Sequence, residues 1–161
     1  MDSVLNGEKC SCSCEELKIN VTLEEEAVLP EYKTSGSAGM DLYSYEDIDL
    51  YPLIPAVVRT GIRMSIPYGY EGQVRARSGL ALEGITVVNS PGTIDSDFRG
   101  EIGVILLWIT ALDPIMSSYK VRKGDRIAQL VISKTARAAL IPSLFLNETT
   151  RGENGYGSTG K

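Results

Sequence analysis

Residues 17–23 read LKINVTL, a segment in which apolar and polar side chains alternate. Every second position from Leu17 to Leu23 is apolar. Because successive side chains of a β-strand point to opposite faces, these apolar groups would share one face of an extended chain. The alternation therefore predicts a short strand with one face turned toward a core.

Comparable apolar patterns recur along the chain. Further strands are predicted at residues 57–66 (VVRTGIRMSI), 85–90 (ITVVNS), 101–110 (EIGVILLWIT), 126–133 (RIAQLVIS) and 139–146 (ALIPSLFL). Prolines and glycines fall between these segments, and no helical pattern of useful length is present. Many short strands separated in this way indicate an all-β domain, an antiparallel sandwich or barrel of jelly-roll type.

The length of 161 residues suits a single domain with a normal core, and no internal repeat is visible. Residues 1–16 lack a strand pattern, so we expect them to form a flexible N-terminal arm. We assign residues 17–150 to the β barrel and residues 151–161 to a separate glycine-rich C-terminal segment.

The composition limits the classes of partner. The net charge is −5 and the pI is about 4.8, which argues against broad binding to nucleic acid. An anionic substrate would need a local basic pocket. No run of about eighteen apolar residues is present, and the first residues lack the basic and apolar regions of a secretory signal. We therefore expect a cytoplasmic protein without a membrane partner.

The chain contains no histidine, which restricts its acid–base chemistry. Ser-His and Cys-His mechanisms are excluded, so an aspartate or glutamate is the expected general base. The three cysteines, Cys10, Cys12 and Cys14, alternate within CSCSC. They could bind a soft metal or cross-link chains, but the ligand set is incomplete without histidine. Reduced thiols in a disordered arm are the preferred interpretation.

Residues 76–84, ARSGLALEG, predict a helix of one to two turns. Ser78 suits the N-cap, and Gly84 suits the C-cap. Arg77 would stand at the positive end of this helix, where free N–H groups favour a phosphate. An ordinary capped surface helix explains the same residues equally well.

Residues 90–104, SPGTIDSDFRGEIGV, place several charged residues between two strand-like runs. Charged turns of this kind are usually only solvated. Asp95, however, directly follows the alternating run and would lie at a strand end. Gly92 and Gly103 would leave backbone groups open to a flat ligand.

The C-terminal stretch RGENGYGSTGK, residues 151–161, allows two interpretations. Glycine-rich chain ends are usually disordered. Alternatively, the ring of Tyr156 and the hydroxyl and N–H groups of Ser158 and Thr159 could close over a bound anion as a mobile lid.

Five segments occur in an order that resembles the five motifs of the trimeric deoxyuridine triphosphatase (dUTPase) family. They are residues 38–44 (AGMDLYS), 76–81 (ARSGLA), 92–104 (GTIDSDFRGEIGV), 123–130 (KGDRIAQL) and 151–160 (RGENGYGSTG). The resemblance implies a jelly-roll-like β barrel with one short helix, and a homotrimer with exchanged C-terminal arms and sites at subunit contacts. It also implies hydrolysis of dUTP to dUMP and pyrophosphate, with Mg²⁺ held by the triphosphate and no metal ligand from the protein.

The resemblance also implies roles for individual residues near the base and sugar. Asp95 would activate the water that attacks the α-phosphorus. Phe98 occupies a position usually held by tyrosine, whose ring packs under the deoxyribose and excludes a 2′-hydroxyl. Asn89, Gly92 and Gly103 would line the uracil pocket.

Further matching positions concern the phosphates and the lid. Four residues would contact phosphate: Arg77, Ser78, Gly79 and Gln129. Asp41 and Asp125 would support the site by pairing with basic groups such as Arg77 or Arg126. In the tail, Arg151, Ser158 and Thr159 would clamp phosphates, while Tyr156 and Gly157 would cover the uracil.

This chain departs from the usual motifs at a few positions. Ala76 replaces a proline, Glu153 and Asn154 stand in an arm that is commonly richer in glycine, and Tyr156 replaces the commoner phenylalanine. None of these changes removes a reactive group. Two alternatives stay open: a dCTP deaminase of the same general fold, which lacks this arm motif, and a non-catalytic trimeric β module that binds a partner through its tail.

Overall fold

The computed structural model describes residues 16–109 and 118–155 and confirms an all-β fold with one short helix. These residues form eleven strands and one five-residue helix. The elements are β1 (Asn20–Leu23), β2 (Met40–Tyr43), β3 (Ile48–Leu50), β4 (Ala56–Arg59), β5 (Ile62–Ser65), β6 (Tyr70–Arg75), α1 (Ser78–Leu82), β7 (Ile85–Val87), β8 (Gly92–Ile94), β9 (Gly103–Trp108), β10 (Tyr119–Val121) and β11 (Arg126–Lys134).

The strands pair in antiparallel fashion into four groups. The largest sheet has the order β2-β11-β6-β8, and a second sheet has the order β4-β9-β7. Two ribbons, β1 with β5 and β10 with β3, complete the fold. No helix in residues 16–109 or 118–155 has the length and hydropathy needed to cross a membrane.

One hydrophobic cluster joins the sheets and ribbons. Strand β9 illustrates the pattern, because Val104, Leu106 and Trp108 are buried while the residues between them are partly exposed. Leu42 of β2 and Leu130 of β11 contribute fully buried side chains from the four-stranded sheet. Burial of alternate residues on several strands is the stabilising arrangement that the period-two segments predicted.

The predicted segments 85–90, 101–110 and 126–133 are confirmed as strands β7, β9 and β11. The segment 57–66 divides instead into β4 and β5, which belong to different sheets. The chain changes direction at Thr60, whose buried hydroxyl donates to the Ile102 carbonyl at 2.6 Å, and at Gly61, whose φ is +70°. A left-handed backbone at Gly61 ends the first strand without steric strain.

Two other predicted strands differ from the structure. The segment 17–23 contributes only β1, whose apolar face is incompletely covered: Leu17 and Leu23 are 39% and 43% exposed. The prediction of a strand at 139–146 is wrong, because these residues have no strand partner and their large apolar side chains are at least 85% exposed. A strand requires a hydrogen-bonded neighbour, and the described part of this chain provides none there.

The short helix forms where it was predicted, with its boundaries moved by one residue. Arg77 takes the N-cap position without a side-chain capping bond, and Ser78 is the first helical residue. Glu83 is the C-cap, and Gly84 follows it with φ of +78°. Gly84 also accepts a hydrogen bond from the Ile109 N–H at 2.7 Å, which holds the end of the helix against β9.

Candidate active site

A basic pocket lies where β2, β11 and the start of α1 meet. Its volume is about 360 Å³, and we call it the basic pocket throughout. Strand pairing brings its parts together, because Gln129 of β11 is the register partner of Asp41 on one side and of Arg75 on the other. Its lining residues are Lys33, Ser37, Ala38, Gly39, Asp41, Arg77, Ser78, Gly79, Arg126 and Gln129.

Asp41 organises the charges of this pocket. Its two carboxylate oxygens contact Arg77 Nε at 3.1 Å and Arg126 Nη1 at 3.3 Å, and its side chain is only 12% exposed. Arg77 also donates from Nη1 to the Arg126 carbonyl oxygen at 3.0 Å. The Arg77 guanidinium is thus held by two partners, and the Arg126 guanidinium is held by Asp41.

A hydrogen bond to the backbone positions the Gln129 side chain. Its amide nitrogen donates to the Ala76 carbonyl at 3.0 Å. A Cβ atom on Gly39 would lie 2.7 Å from the Gln129 side-chain oxygen, so a side chain at residue 39 would displace this amide. Ser78 and Gly79 begin α1 at the same pocket. The pocket therefore combines fixed cations with an amide, a hydroxyl and backbone N–H groups.

The charge of the basic pocket contrasts with that of the whole chain. Three cationic side chains line it, Lys33, Arg77 and Arg126, against the single carboxylate of Asp41. The whole chain carries a net charge of −5. Such a local excess of positive charge favours an anion, and phosphate oxygens suit arginine and backbone N–H donors.

Asp125 is placed differently from the expectation that it pairs with an arginine side chain. Its carboxylate accepts a hydrogen bond from the Arg122 backbone N–H at 2.8 Å. Its backbone carbonyl accepts from the Ser44 N–H at 2.8 Å. Asp125 therefore closes the turn before β11, because a short carboxylate reaches its own backbone more easily than a distant cation.

The loop between β8 and β9 carries Asp95 and Phe98. Asp95 follows the end of β8 and is exposed, and its backbone carbonyl accepts from the Phe98 N–H at 3.1 Å. Arg99 Nη1 donates to the Ser96 and Phe98 carbonyls, each at 2.7 Å. These bonds fold the loop onto itself, and Asp95 lines a cavity of about 580 Å³.

The ring of Phe98 lies against Gly100. A Cβ atom on Gly100 would approach the Phe98 ring to 2.5 Å, so this contact requires a glycine. The ring remains 41% exposed, which leaves one side free for another molecule. Sequence reasoning did not single out Gly100, although its position two residues after an aromatic group was a usable signal.

Gly92 and Gly103, which were expected to line the uracil pocket, each lie close to a side chain of another residue. A Cβ atom on Gly92 would lie 3.0 Å from Asn89 Nδ2, so these two residues are neighbours. Gly103 begins β9 opposite Arg59, and its missing side chain leaves room for Val57, whose Cγ1 would be 2.8 Å from a Cβ atom.

Within one chain, Asp95 and the basic pocket lie at opposite ends of β6. Ile94, next to Asp95, is the register partner of Gly72. Arg77 lies five residues further along the chain, beyond the other end of β6. At about 3.3 Å per residue, the two points are roughly 17 Å apart. In a single chain, the Asp95 carboxylate therefore does not reach the basic pocket.

The tail is described only in part. Arg151 is exposed, and its Nε donates to the Asn154 carbonyl at 3.0 Å within a local turn. Tyr156, Gly157, Ser158 and Thr159 lie outside the described residues, as do Cys10, Cys12 and Cys14. The expected lid thus stays a prediction.

An ion-pair network, not anticipated from the sequence, supports the start of β9. The Glu101 carboxylate accepts from Arg59 Nη2 at 3.0 Å and from the Gly61 N–H at 2.8 Å. Arg59 also pairs with Glu24 at 2.8 Å. Partial burial opposes ionisation of Glu101, but the bonds from Arg59 and Gly61 outweigh it, so the pKa of Glu101 lies below its ordinary value.

We predict that Glu101→Gln lowers the midpoint of thermal unfolding at pH 7. Because the folded-state pKa of Glu101 is depressed, its ionised form stabilises the protein above the ordinary carboxyl pKa of about 4.5, and this stabilisation is lost as pH falls through the lower folded value. The difference between variant and parent should therefore shrink below pH 4.5. Calorimetric scans between pH 7 and pH 3 measure the unfolding midpoints of the parent and the variant, with the exposed Glu148→Gln as control. A pH-independent difference would contradict the assignment.

The comparisons with known proteins agree with this geometry. A family model described as dUTPase matches residues 25–160. The deoxyuridine 5'-triphosphate nucleotidohydrolase of Wolinella succinogenes is 49% identical over 140 residues, covering 86% of this chain and 91% of the relative. That of Clostridium novyi is 48% identical over 137 residues, covering 84% and 93%.

Solved structures give the same result. The Staphylococcus bacteriophage 80alpha dUTPase with dUPNHPP superposes with a TM-score of 0.83 at 29% identity, covering 89% of this chain and 99% of that one. A mutant phage phi11 dUTPase, described as revealing the coordination of a structural Mg(II) ion, has a TM-score of 0.75 at 25% identity, with coverage of 82% and 100%. Since the family model spans most of the sequence and the relatives exceed 45% identity, this chain belongs to the dUTPase family.

Proposed function

We propose that this protein hydrolyses dUTP to dUMP and pyrophosphate, which limits uracil incorporation into DNA and supplies dUMP for dTMP synthesis. The observation that carries the proposal is the basic pocket, which gathers Arg77, Ser78, Gly79 and Gln129 in an acidic chain of the dUTPase family. Three of these lining residues come from one segment, ARSGLA, which is one of the five motif segments.

Asp95 is the proposed general base. It is an exposed carboxylate at a strand end, in a chain that has no histidine to take this role. Its carboxylate would orient a water molecule and accept its proton as the oxygen attacks the α-phosphorus. Pyrophosphate then leaves, and the guanidinium groups of Arg77 and Arg126 stabilise the charge that develops on its oxygens.

Mg²⁺ is proposed to enter with the substrate. In residues 16–109 and 118–155, no three Asp, Glu, His or Cys side chains form a group suited to a metal ion. Asp41, the carboxylate of the basic pocket, is already engaged by two arginines. Magnesium commonly binds to substrate phosphates with few protein ligands, and it would neutralise part of the triphosphate charge there. A metal ligand from Asp41 is not needed for this role.

The base and sugar would be recognised on the other half of the site. Asn89, Gly92 and Gly103 are proposed to present amide and backbone groups to the uracil edge, where cytosine would leave buried groups unpaired. Phe98, resting on Gly100, would pack under the deoxyribose. Sugar discrimination then depends on the position of a ring rather than on a hydrogen bond.

The separation of the two half-sites supports a site shared between copies of the chain. A carboxylate roughly 17 Å from the phosphate pocket of its own chain cannot act there, so the pocket of a neighbouring copy would supply Arg77. Exposed apolar side chains supply surfaces for association: Val57 of β4 is 60% exposed and Ile109, after β9, is 55% exposed. Apolar patches of this kind commonly mark subunit interfaces. We propose that the chain forms the homotrimer that the resemblance to the dUTPase family implies.

The extended segment 139–146 supports the exchange of C-terminal arms. Its apolar residues Leu140, Leu144 and Leu146 are each about nine-tenths exposed in a single chain. A neighbouring copy would cover these side chains and provide the backbone partner that its own chain lacks. The same exchange would carry Arg151 and the glycine-rich lid to a neighbouring site. A cytoplasmic location stays a prediction.

Replacing Asp95 tests the general base. Asp95→Asn should lower kcat by roughly 10²- to 10⁴-fold while dUTP still binds, because the amide cannot accept the proton of the attacking water. Pyrophosphate release from dUTP and dCTP measures turnover and substrate choice. Asp49→Asn, on the surface ribbon β3–β10, serves as the control and should retain full activity. Turnover of Asp95→Asn near that of the parent would refute the assignment.

Mixed assemblies test the shared site. Asp95→Asn and Arg77→Gln chains should each be nearly inactive, yet co-expressed chains should regain activity, because some sites would combine an intact Asp95 with an intact Arg77 from another copy. Two different affinity tags allow purification of the mixed assembly before the pyrophosphate assay. If purified mixed assemblies remain as inactive as either parent variant, Asp95 and Arg77 do not work across chains.

A third test addresses sugar discrimination. Phe98→Ala and Gly100→Ala should both raise turnover of UTP relative to dUTP by roughly 10- to 100-fold, since each removes or displaces the ring that would exclude a 2′-hydroxyl. Phe98→Tyr keeps the ring and should leave the ratio nearly unchanged. Steady-state kcat/KM values for both nucleotides provide the measurement. An unchanged ratio in Phe98→Ala would show that the ring is not the gate.

A further inference from the structure

Lys33 lines the basic pocket but belongs to none of the five motif segments. It lies before β2, in residues 30–39, which lead into the pocket. Sequence reasoning gave it no role. Only the folded structure places this residue in the lining of the same cavity as Arg77 and Arg126.

Strand pairing locates Lys33 close to Arg126. Its Nζ lies 5.6 Å from the centroid of the Tyr43 ring. Tyr43 is the register partner of Arg126 in the β2–β11 ladder, so the two residues are directly opposite each other. Lys33 therefore lies beside the residue that pairs with Arg126, and both cationic residues line the basic pocket.

The three cations differ in how firmly they are held. Arg77 and Arg126 share the largely buried carboxylate of Asp41. Lys33 instead pairs with Glu31, and both side chains are substantially exposed, at 44% for Lys33 and 63% for Glu31. Exposed pairs are weak because water and salt screen them. Arg126 is itself 49% exposed, but its partner Asp41 is only 12% exposed, whereas the partner of Lys33, Glu31, is 63% exposed. Lys33 can therefore exchange its partner for a more highly charged anion more readily than either arginine.

The protonation state of Lys33 suits this exchange. A hydrogen bond to Glu31 and a weaker effect of a hydrogen bond to Tyr43 raise the pKa of Lys33 above its ordinary value. The side chain is therefore charged at neutral pH. The flexible four-carbon stem lets the ammonium move from Glu31 toward the cavity. The basic pocket then presents three cations to its ligand instead of the two that Asp41 holds in place.

We propose that Lys33 is a third phosphate-binding cation of the basic pocket, paired with Glu31 in the free enzyme and transferred to the phosphates when the nucleotide binds. This inference rests on the proposed function, since it takes the pocket as the triphosphate site. The additional cation favours ligands with several phosphates. Lys33 thus strengthens binding of dUTP and pyrophosphate more than binding of dUMP.

Replacing Lys33 by methionine removes the charge and keeps the aliphatic stem. Loss of one charge-assisted contact should raise KM for dUTP by about 3- to 10-fold with little change in kcat, because the contact is made equally in the ground and transition states. Inhibition by pyrophosphate should weaken by a similar factor, and inhibition by dUMP should change little. Lys33→Arg should restore most of the affinity.

Glu31→Gln provides a change in the opposite direction. Freed from its partner, Lys33 should bind phosphate more readily, and KM for dUTP should fall. Lys120→Met, which removes a lysine paired with Asp49 at 3.9 Å outside the basic pocket, is the matched control and should leave KM unchanged. A rise in KM for Glu31→Gln, or an unchanged KM for Lys33→Met, would overturn the proposal.

Calorimetric titration with pyrophosphate separates this inference from the proposed function. If the parent protein fails to hydrolyse dUTP, the proposed function fails. Weaker pyrophosphate binding by Lys33→Met than by the parent would still support the role of Lys33. Equal pyrophosphate affinities in the two proteins would refute that role even in an enzyme fully active on dUTP.

Discussion

Strand β6 is hydrogen-bonded on both sides, and its register fixes the geometry of the whole candidate site. One edge pairs with β11 and places Gln129 opposite Arg75, while the other pairs with β8 and places Ile94 opposite Gly72. A register shift of one residue would reverse the face of every side chain, so these pairings are strongly specified by the buried core. The basic pocket and the loop that carries Asp95 are consequently held at opposite ends of one rigid element. The proposed sharing of sites between copies follows from this constraint.

Local contacts then hold the charged and aromatic side chains of each half of the candidate site in place. Asp41 holds two arginines in a pocket with little exposure of its own carboxylate, which preorganises positive charge before any ligand arrives. Glycines act on the steric side, since Gly39 leaves space for Gln129 and Gly100 leaves space for the Phe98 ring. Lys33 pairs with an exposed glutamate, and we propose that it is the adaptable member of the pocket. Firmly paired and adaptable cations in one cavity suit a ligand that carries several phosphate groups.

Several parts of the fold could be predicted because they depend on local pattern alone. Strands β7, β9 and β11 were visible as short apolar runs between turn residues, and α1 was visible from a cap-like serine and a glycine six residues later. Strands β3 and β10 were not anticipated because each is only three residues long, and β6 was not anticipated because Gly72 takes the place of an apolar side chain on its buried face. The segment 139–146 was wrongly predicted to be a strand, because a run of apolar residues does not form a strand without a hydrogen-bonded backbone partner.

The sequence by itself determined the chemistry available to this protein: no histidine, a carboxylate in a loop between strands, an arginine before a short helix, and the five motifs that identify the family. Only the tertiary structure decided which of these groups meet. It joined Arg77 to Arg126 through Asp41, turned Asp125 toward its own backbone, brought Lys33 into the basic pocket and kept Asp95 far from it. The reason is physical: residue types follow from the order of the chain, whereas distances between them follow from strand register and from how one buried core closes.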